Sequence, residues 1–188
     1  MTTVPCGATT QAWQDFIPAL DAAAQQHTED CFICTCVRVA GCFPPGVKIT
    51  MADGSLRNIE DVRAGDRVRS AVTGSPVAVR QVIEGPEALP LIRFGFEGTT
   101  VTTSQAHPVL TGAGLKPANE LKKDDTVFDA RGNPHAITIL ETLPLEEGQR
   151  VINVSLEAPS SNADERLMIS DGIITGDIVL QGLLKERK

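Results

Sequence analysis

The chain has no tyrosine and one tryptophan, and aromatic residues make up only 4% of its 188 residues. A core must therefore rest on Val, Ile, Leu and Ala. Basic residues are in the minority, 17 Lys and Arg against 24 Asp and Glu, and the net charge of −7 argues against nucleic acid or an anionic membrane as partner. No stretch reaches the roughly 18 consecutive apolar residues that a membrane-spanning helix requires. The N-terminus lacks a basic region followed by an apolar run, so no secretory signal is expected and a cytoplasmic protein is predicted. Cysteine is missing from everything after Cys42; the others are Cys6, Cys31, Cys34 and Cys36. An odd, clustered count without an export signal excludes a disulfide framework and points to reactive or metal-binding thiols.

What is present is turn-forming residues and short apolar runs. Apolar content of 41% suffices for a core, and 16 Gly and 12 Pro imply many turns. The length suits one domain plus an appendage, or two small domains. Residues 1–41 stand apart as an N-terminal segment, predicted helical and then Cys-rich and extended. Trp13, Phe16, Ile17 and Leu20 form an apolar stripe, and Pro18 opens a run of high helix propensity. Residues 42–188 read as a second region of many short strands. Asp53-Gly54, Thr73-Gly74-Ser75-Pro76, Glu97-Gly98 and Gly112-Ala113-Gly114 are turn signals between alternating runs. No sustained helical period occurs there, which predicts an all-β domain, and Ile178 to Leu184 reads as a final strand or packing tail.

The second region repeats itself. Ile59-Glu-Asp-Val62-Arg-Ala-Gly65-Asp66-Arg-Val68 matches Ala118-Asn-Glu-Leu121-Lys-Lys-Asp124-Asp125-Thr-Val127 at an offset of 59. Gly74 to Val79 matches Gly132 to Ile137 at an offset of 58. Two half-domains of about 60 residues related by a pseudo-two-fold axis are expected. Asp66 and Asp125 are then turn formers rather than acid–base groups.

The junction of the two regions is the candidate for chemistry. The thiol of Cys42 can reach the Gly41 carbonyl carbon through a five-membered ring, and Gly41 has no side chain to obstruct the approach. Pro44, Pro45 and Gly46 then bend the chain. Such a thiol can attack its own upstream peptide bond, provided that something helps the amide nitrogen to leave.

The stretch from Cys42 to Asp177 resembles the Hint fold shared by hedgehog autoprocessing domains, inteins and bacterial intein-like domains. The resemblance is carried by Cys42-Phe-Pro-Pro-Gly46 with Asp53-Gly54 and Gly65-Asp66, by Ser104-Gln-Ala-His107-Pro108, by Val151-Ile-Asn153-Val-Ser-Leu156, and by Asp171 to Asp177. It implies a duplicated, horseshoe-shaped all-β domain in which Cys42 is the nucleophile of an N–S acyl shift at Gly41-Cys42. His107 is implied as the group that protonates the departing nitrogen, and Ser104 as one that hydrogen-bonds or strains the scissile amide. Asn153 matches a family position but reads as structural. An oxyanion stabiliser is expected, but no residue identifies itself as one.

The chain departs from the family at its end. Splicing inteins close with His-Asn before Cys, Ser or Thr; here Gly176 and Asp177 precede Ile178, and Asp164-Glu165-Arg166-Leu167 stands where an assisting His is expected. Splicing is therefore not predicted. What remains is a single-turnover self-cleaving domain whose substrate is its own N-terminal segment. Its thioester would be resolved by water or by an external thiol or amine. Cholesterol is not expected as acceptor, since only about 11 residues follow Asp177. No cofactor is predicted. His27, Cys31, Cys34 and Cys36 are weak metal-ligand candidates, because no second pair completes four ligands. The alternatives are an inactive Hint scaffold acting as a peptide- or metal-binding module, and a redox or metal sensor.

Overall fold

Fourteen strands form the framework of the computed structural model, which describes residues 41–159 and 162–185. These residues all belong to one unit, residues 39–188. The predicted N-terminal helix and the Cys-rich stretch, with His27, Cys31, Cys34 and Cys36, lie outside the described residues. Among the described residues, no helix is long and apolar enough to cross a membrane. No group of three or more His, Cys, Asp or Glu among them is placed to hold a metal ion.

The turn signals fall where strands reverse. Strands β1 (Lys48–Thr50) and β2 (Leu56–Asn58) form a hairpin around Asp53-Gly54, whose aspartate accepts from the Ser55 N–H at 2.9 Å. Strand β3 (Arg67–Arg69) pairs with the long β4 (Pro76–Pro86) across Thr73 to Ser75. Strands β5 (Leu91–Phe96) and β6 (Thr99–Thr103) meet at Glu97-Gly98, where Gly98 takes φ +80°, a left-handed value that favours glycine. Strands β7 (Pro108–Thr111) and β8 (Gly114–Pro117) reverse at Gly112-Ala113. Then follow β9 (Thr126–Phe128), β10 (Pro134–Ala136), β11 (Ile139–Leu143), β12 (Arg150–Leu156), β13 (Leu167–Ser170) and β14 (Ile173–Gly176). One sheet of eight strands runs β10-β9-β7-β14-β13-β1-β2 with β8 alongside β7; two three-stranded sheets run β11-β5-β6 and β12-β4-β3.

The internal repeat in the sequence is an internal repeat in the structure. One-turn 3₁₀ helices at Ile59–Asp61 and Ala118–Glu120 each follow a hairpin and lead to β3 and β9. The turns after them match bond for bond. The Arg63 N–H donates to Asp66 Oδ2 at 2.7 Å, and the Lys122 N–H donates to Asp125 Oδ2 at 2.9 Å. Arg57 pairs with Asp66 at 2.6 Å, and Lys116 with Asp125 at 2.8 Å. The partner's hydrogen bond holds each carboxyl below the usual aspartate range. At the tip, Gly65 has φ +88° and its counterpart Asp124 has φ +71°.

Beyond these turns each half sends a strand outward: β4 pairs with β12 and β11 pairs with β5, all antiparallel. The core between the sheets is built on Ile49, Ile59, Val62, Val68, Val101, Val109, Val127, Ile152 and Met168, with two fully buried rings, Phe43 and Phe94. Each such side chain contributes about 1.5–3 kcal/mol through apolar area removed from water.

The final segment is not a strand. Ile178–Lys185 forms helix α1, capped by Asp177, whose Oδ1 accepts from the N–H of Val179 at 3.0 Å and of Leu180 at 3.1 Å. Leu180 is fully buried in a cluster with Leu167 and Ile174. A cap and one apolar anchor outweigh the β-branched Ile-Val start that makes the stretch read as extended.

Candidate active site

The Ser104 to His107 stretch is a tight turn between β6 and β7, closed by the His107 N–H donating to the Ser104 carbonyl at 3.2 Å. An i to i+3 bond of this kind brings the first and fourth side chains to one side, which is the physical content of the Ser-x-x-His spacing. The turn is held from outside by the Ala118 N–H on the His107 carbonyl at 2.9 Å and by the Asn119 N–H on the Gln105 carbonyl at 2.8 Å.

The Gly41–Cys42 peptide lies between this turn and β12. Phe43 forms an isolated antiparallel bridge with Ile152, bonded in both directions at 2.8 Å. That register sets Cys42 opposite Asn153. On the other side, the Ser104 N–H donates to the Cys42 carbonyl at 2.8 Å, and the Cys42 N–H donates to Ser104 Oγ at 2.7 Å. Gly41 and Cys42 are both buried, Cys42 to 1% exposure against Leu91 and Val151.

The oxygen side of the same peptide faces two donors. His107 Nδ1 lies 2.9 Å from the Gly41 carbonyl oxygen, and Asn153 Nδ2–H donates to that oxygen as well. The Asn153 amide is oriented by its own Oδ1, which accepts from the Val154 N–H at 2.7 Å. A carbonyl offers no proton, so this contact requires His107 in its Nδ1–H tautomer. Burial pushes the His107 pKa down to about 4, opposed by the bond to Gly41, so the ring is neutral near pH 7. His107 packs on Phe43 with ring centroids 4.1 Å apart, and its Nε2 is buried with no hydrogen-bond partner among the described residues.

The sequence-derived residues Gly41, Cys42, Ser104 and His107 are thus brought together around one amide. The histidine meets its oxygen, however, and the serine its nitrogen; the expectation had His107 beside the nitrogen. Asn153, read as structural, contacts the same oxygen. Its signal in the sequence was a lone amide in Val-Ile-Asn-Val-Ser-Leu, because a polar side chain within a buried strand has to find partners.

Gly176 lies against Pro108, next to His107, and Asp177 has bonds of its own. Asp177 is fully buried, and its Oδ2 accepts from Arg166 Nη1 at 2.6 Å and from the Leu156 N–H at 2.9 Å, while Oδ1 caps α1. Arg166 is also buried and donates to the carbonyls of Leu156, Ala158 and Pro159. Burial pushes the Asp177 carboxyl up, against the opposing pull of Arg166 and of the Leu156 and Leu180 N–H groups. Each oxygen of this carboxylate accepts from two donors.

No family model matches the chain, and neither does any curated protein. Solved structures do. A bacterial intein-like domain from Clostridium thermocellum is 21% identical, with a TM-score of 0.62 over 73% of this chain and 99% of that one. The gp41-1 intein is 17% identical, with a TM-score of 0.60 over 73% and 98%. A DnaB intein from Synechocystis sp. PCC 6803 is 15% identical, again with a TM-score of 0.60 over 73% and 98%. At such identities the likeness is one of architecture: the described residues have the Hint fold of these domains.

Proposed function

We propose that this chain processes itself once, by an N–S acyl shift at Gly41–Cys42, and does not splice. The observation that carries the reading is the pair of donors, His107 Nδ1–H and Asn153 Nδ2–H, on the oxygen of a peptide bond that a cysteine thiol immediately follows. Donors aimed at a carbonyl oxygen stabilise the negative charge that grows there when a nucleophile adds to its carbon.

In the step, Cys42 Sγ bonds to the Gly41 carbonyl carbon and gives up its proton. The oxygen takes on negative charge between His107 and Asn153. A negative charge beside a neutral imidazole favours its protonated form, so the ring that resists protonation at rest takes up the thiol's proton as the charge develops. It then delivers a proton to the Cys42 nitrogen, one atom away from the oxygen it already touches. The C–N bond breaks, leaving a thioester on Cys42 and a free amine at the same residue. Ser104 holds the nitrogen side in place throughout. Water or an external thiol or amine then takes the acyl group, releasing the segment that ends at Gly41.

The C-terminal half of a splicing reaction has no support here. Asp177 stands where asparagine is needed, and its carboxylate is committed to Arg166 and to the start of α1.

The test is intact-mass analysis of the purified full chain after overnight incubation with hydroxylamine, which cleaves thioesters. A fragment ending at Gly41, absent from Cys42→Ala, is the expected result. A full-length chain that hydroxylamine leaves intact overturns the reading and favours a scaffold that only binds.

A further inference from the structure

Gly41 is enclosed from a direction that the acyl shift does not use. A methyl group built on its Cα overlaps Oε1 and Cδ of Gln181 and lies 2.9 Å from Nε2, so the whole carboxamide stands where a side chain would be. Gln181 belongs to α1, beyond Asp177, in the stretch that follows the last family-like motif.

An amide at the end of two methylenes can often swing aside. Here it has little room, since Gln181 is only 3% exposed. The helix carrying it is also fixed at several points. Asp177 caps its first turn, and the Gln181 N–H reaches the Asp177 carbonyl at 3.4 Å. Leu180 next door is fully buried, and it packs so closely on Gly176 that a methyl there would lie 2.8 Å from Leu180 Cδ1. Sliding the helix away from Gly41 would break the cap and pull Leu180 from its cluster.

We infer that Gln181 is a specificity-determining residue for the self-processing reaction: from α1 it restricts the acyl residue before Cys42 to glycine. This rests on the reading of Gly41–Cys42 as the reacting bond. It also gives the segment after Asp177 a role at the site, as the wall on the acyl side. A larger residue at position 41 has to displace the carboxamide or shift its own carbonyl away from His107 and Asn153, and either outcome slows the reaction.

The experiment is a comparison of hydroxylamine-dependent fragment release from full chains carrying Gly or Ala at position 41, each with Gln181 intact, with Gln181→Asn and with Gln181→Ala. With Gln181 intact the Gly-to-Ala rate ratio is expected at about tenfold or more, the scale of one misfit methyl in a packed pocket. It should fall to within about threefold in Gln181→Ala. The one-methylene-shorter Gln181→Asn, the variant that disturbs the helix least, should lie between. A ratio unchanged by both substitutions, with the parent chain releasing fragment, overturns the inference alone. Absence of fragment from every chain, the parent included, overturns the self-processing reading with it.

Discussion

The two ends of the Hint-like region are both buried, and both gather polar groups, but they do so to opposite effect. At the N-terminal end the donors converge on a neutral group: His107 and Asn153 meet the Gly41 carbonyl, and a thiol lies one residue on. At the C-terminal end the donors converge on a full charge: Arg166 and three backbone N–H groups meet the Asp177 carboxylate. A neutral carbonyl under two donors gains more from them as it becomes an oxyanion, which lowers a barrier. A carboxylate already ionised and fully bonded gains nothing by reacting and loses its bonds if it does. The first arrangement favours change and the second resists it.

The C-terminal end should show the larger stability effect. Arg166→Ala leaves a buried carboxylate without its cation and is expected to destabilise the chain by about 3–5 kcal/mol in urea unfolding. If it instead released a fragment at Asp177, the contrast between the ends would be lost, because the ion pair would be restraining a competent cleavage site. At the other end, Asn153→Ala should slow fragment release by about 10²–10³-fold, the usual result of removing one oxyanion donor. Release at the parental rate would reduce Asn153 to a strand residue.

A smaller effect, readable without activity, comes from His107. It stays neutral in the folded chain down to about pH 4, whereas in the unfolded chain it takes a proton near pH 6.5. Between those values the unfolded state binds more protons. Stability contributed by the neutral ring is therefore complete above about pH 6.5 and falls by about 3 kcal/mol on acidification to pH 4. In a Cys42→Ala background, which removes the proposed nucleophile, this slope should flatten on His107→Asn; an unchanged slope would assign it to other groups. The smallest effect is expected of Ser104→Ala. It deprives the buried Cys42 N–H of its acceptor, costing about 1–2 kcal/mol of stability, and fragment release should slow by roughly tenfold or less. A loss as large as that of Asn153→Ala would move the serine from holding the amide to taking part in proton transfer.

Much of this architecture was legible before any coordinates. The strands declared themselves by alternation and the reversals by Gly, Pro and Asp, because both depend on local backbone sterics. The duplication was legible for the same reason: two turns that need the same bonds carry similar residues, Gly65-Asp66 and Asp124-Asp125. The Ser-x-x-His motif was legible as residue types, but the turn that brings its two ends to one side was not. The helix at Ile178–Lys185 was not legible, since eight residues are too few for propensity to decide. Its state depends on a cap and on a hole for Leu180, both supplied by distant strands.

The residue types, the turn positions and the thiol beside Gly41 were thus written into the sequence, since each concerns neighbours along the chain. Which atom of the Gly41–Cys42 amide His107 meets, that Asn153 joins it across 112 residues, and that Arg166 locks Asp177 were decided only in three dimensions. Those contacts depend on the register between strands far apart in sequence. A shift of one residue in β12 would turn Asn153 to the opposite face.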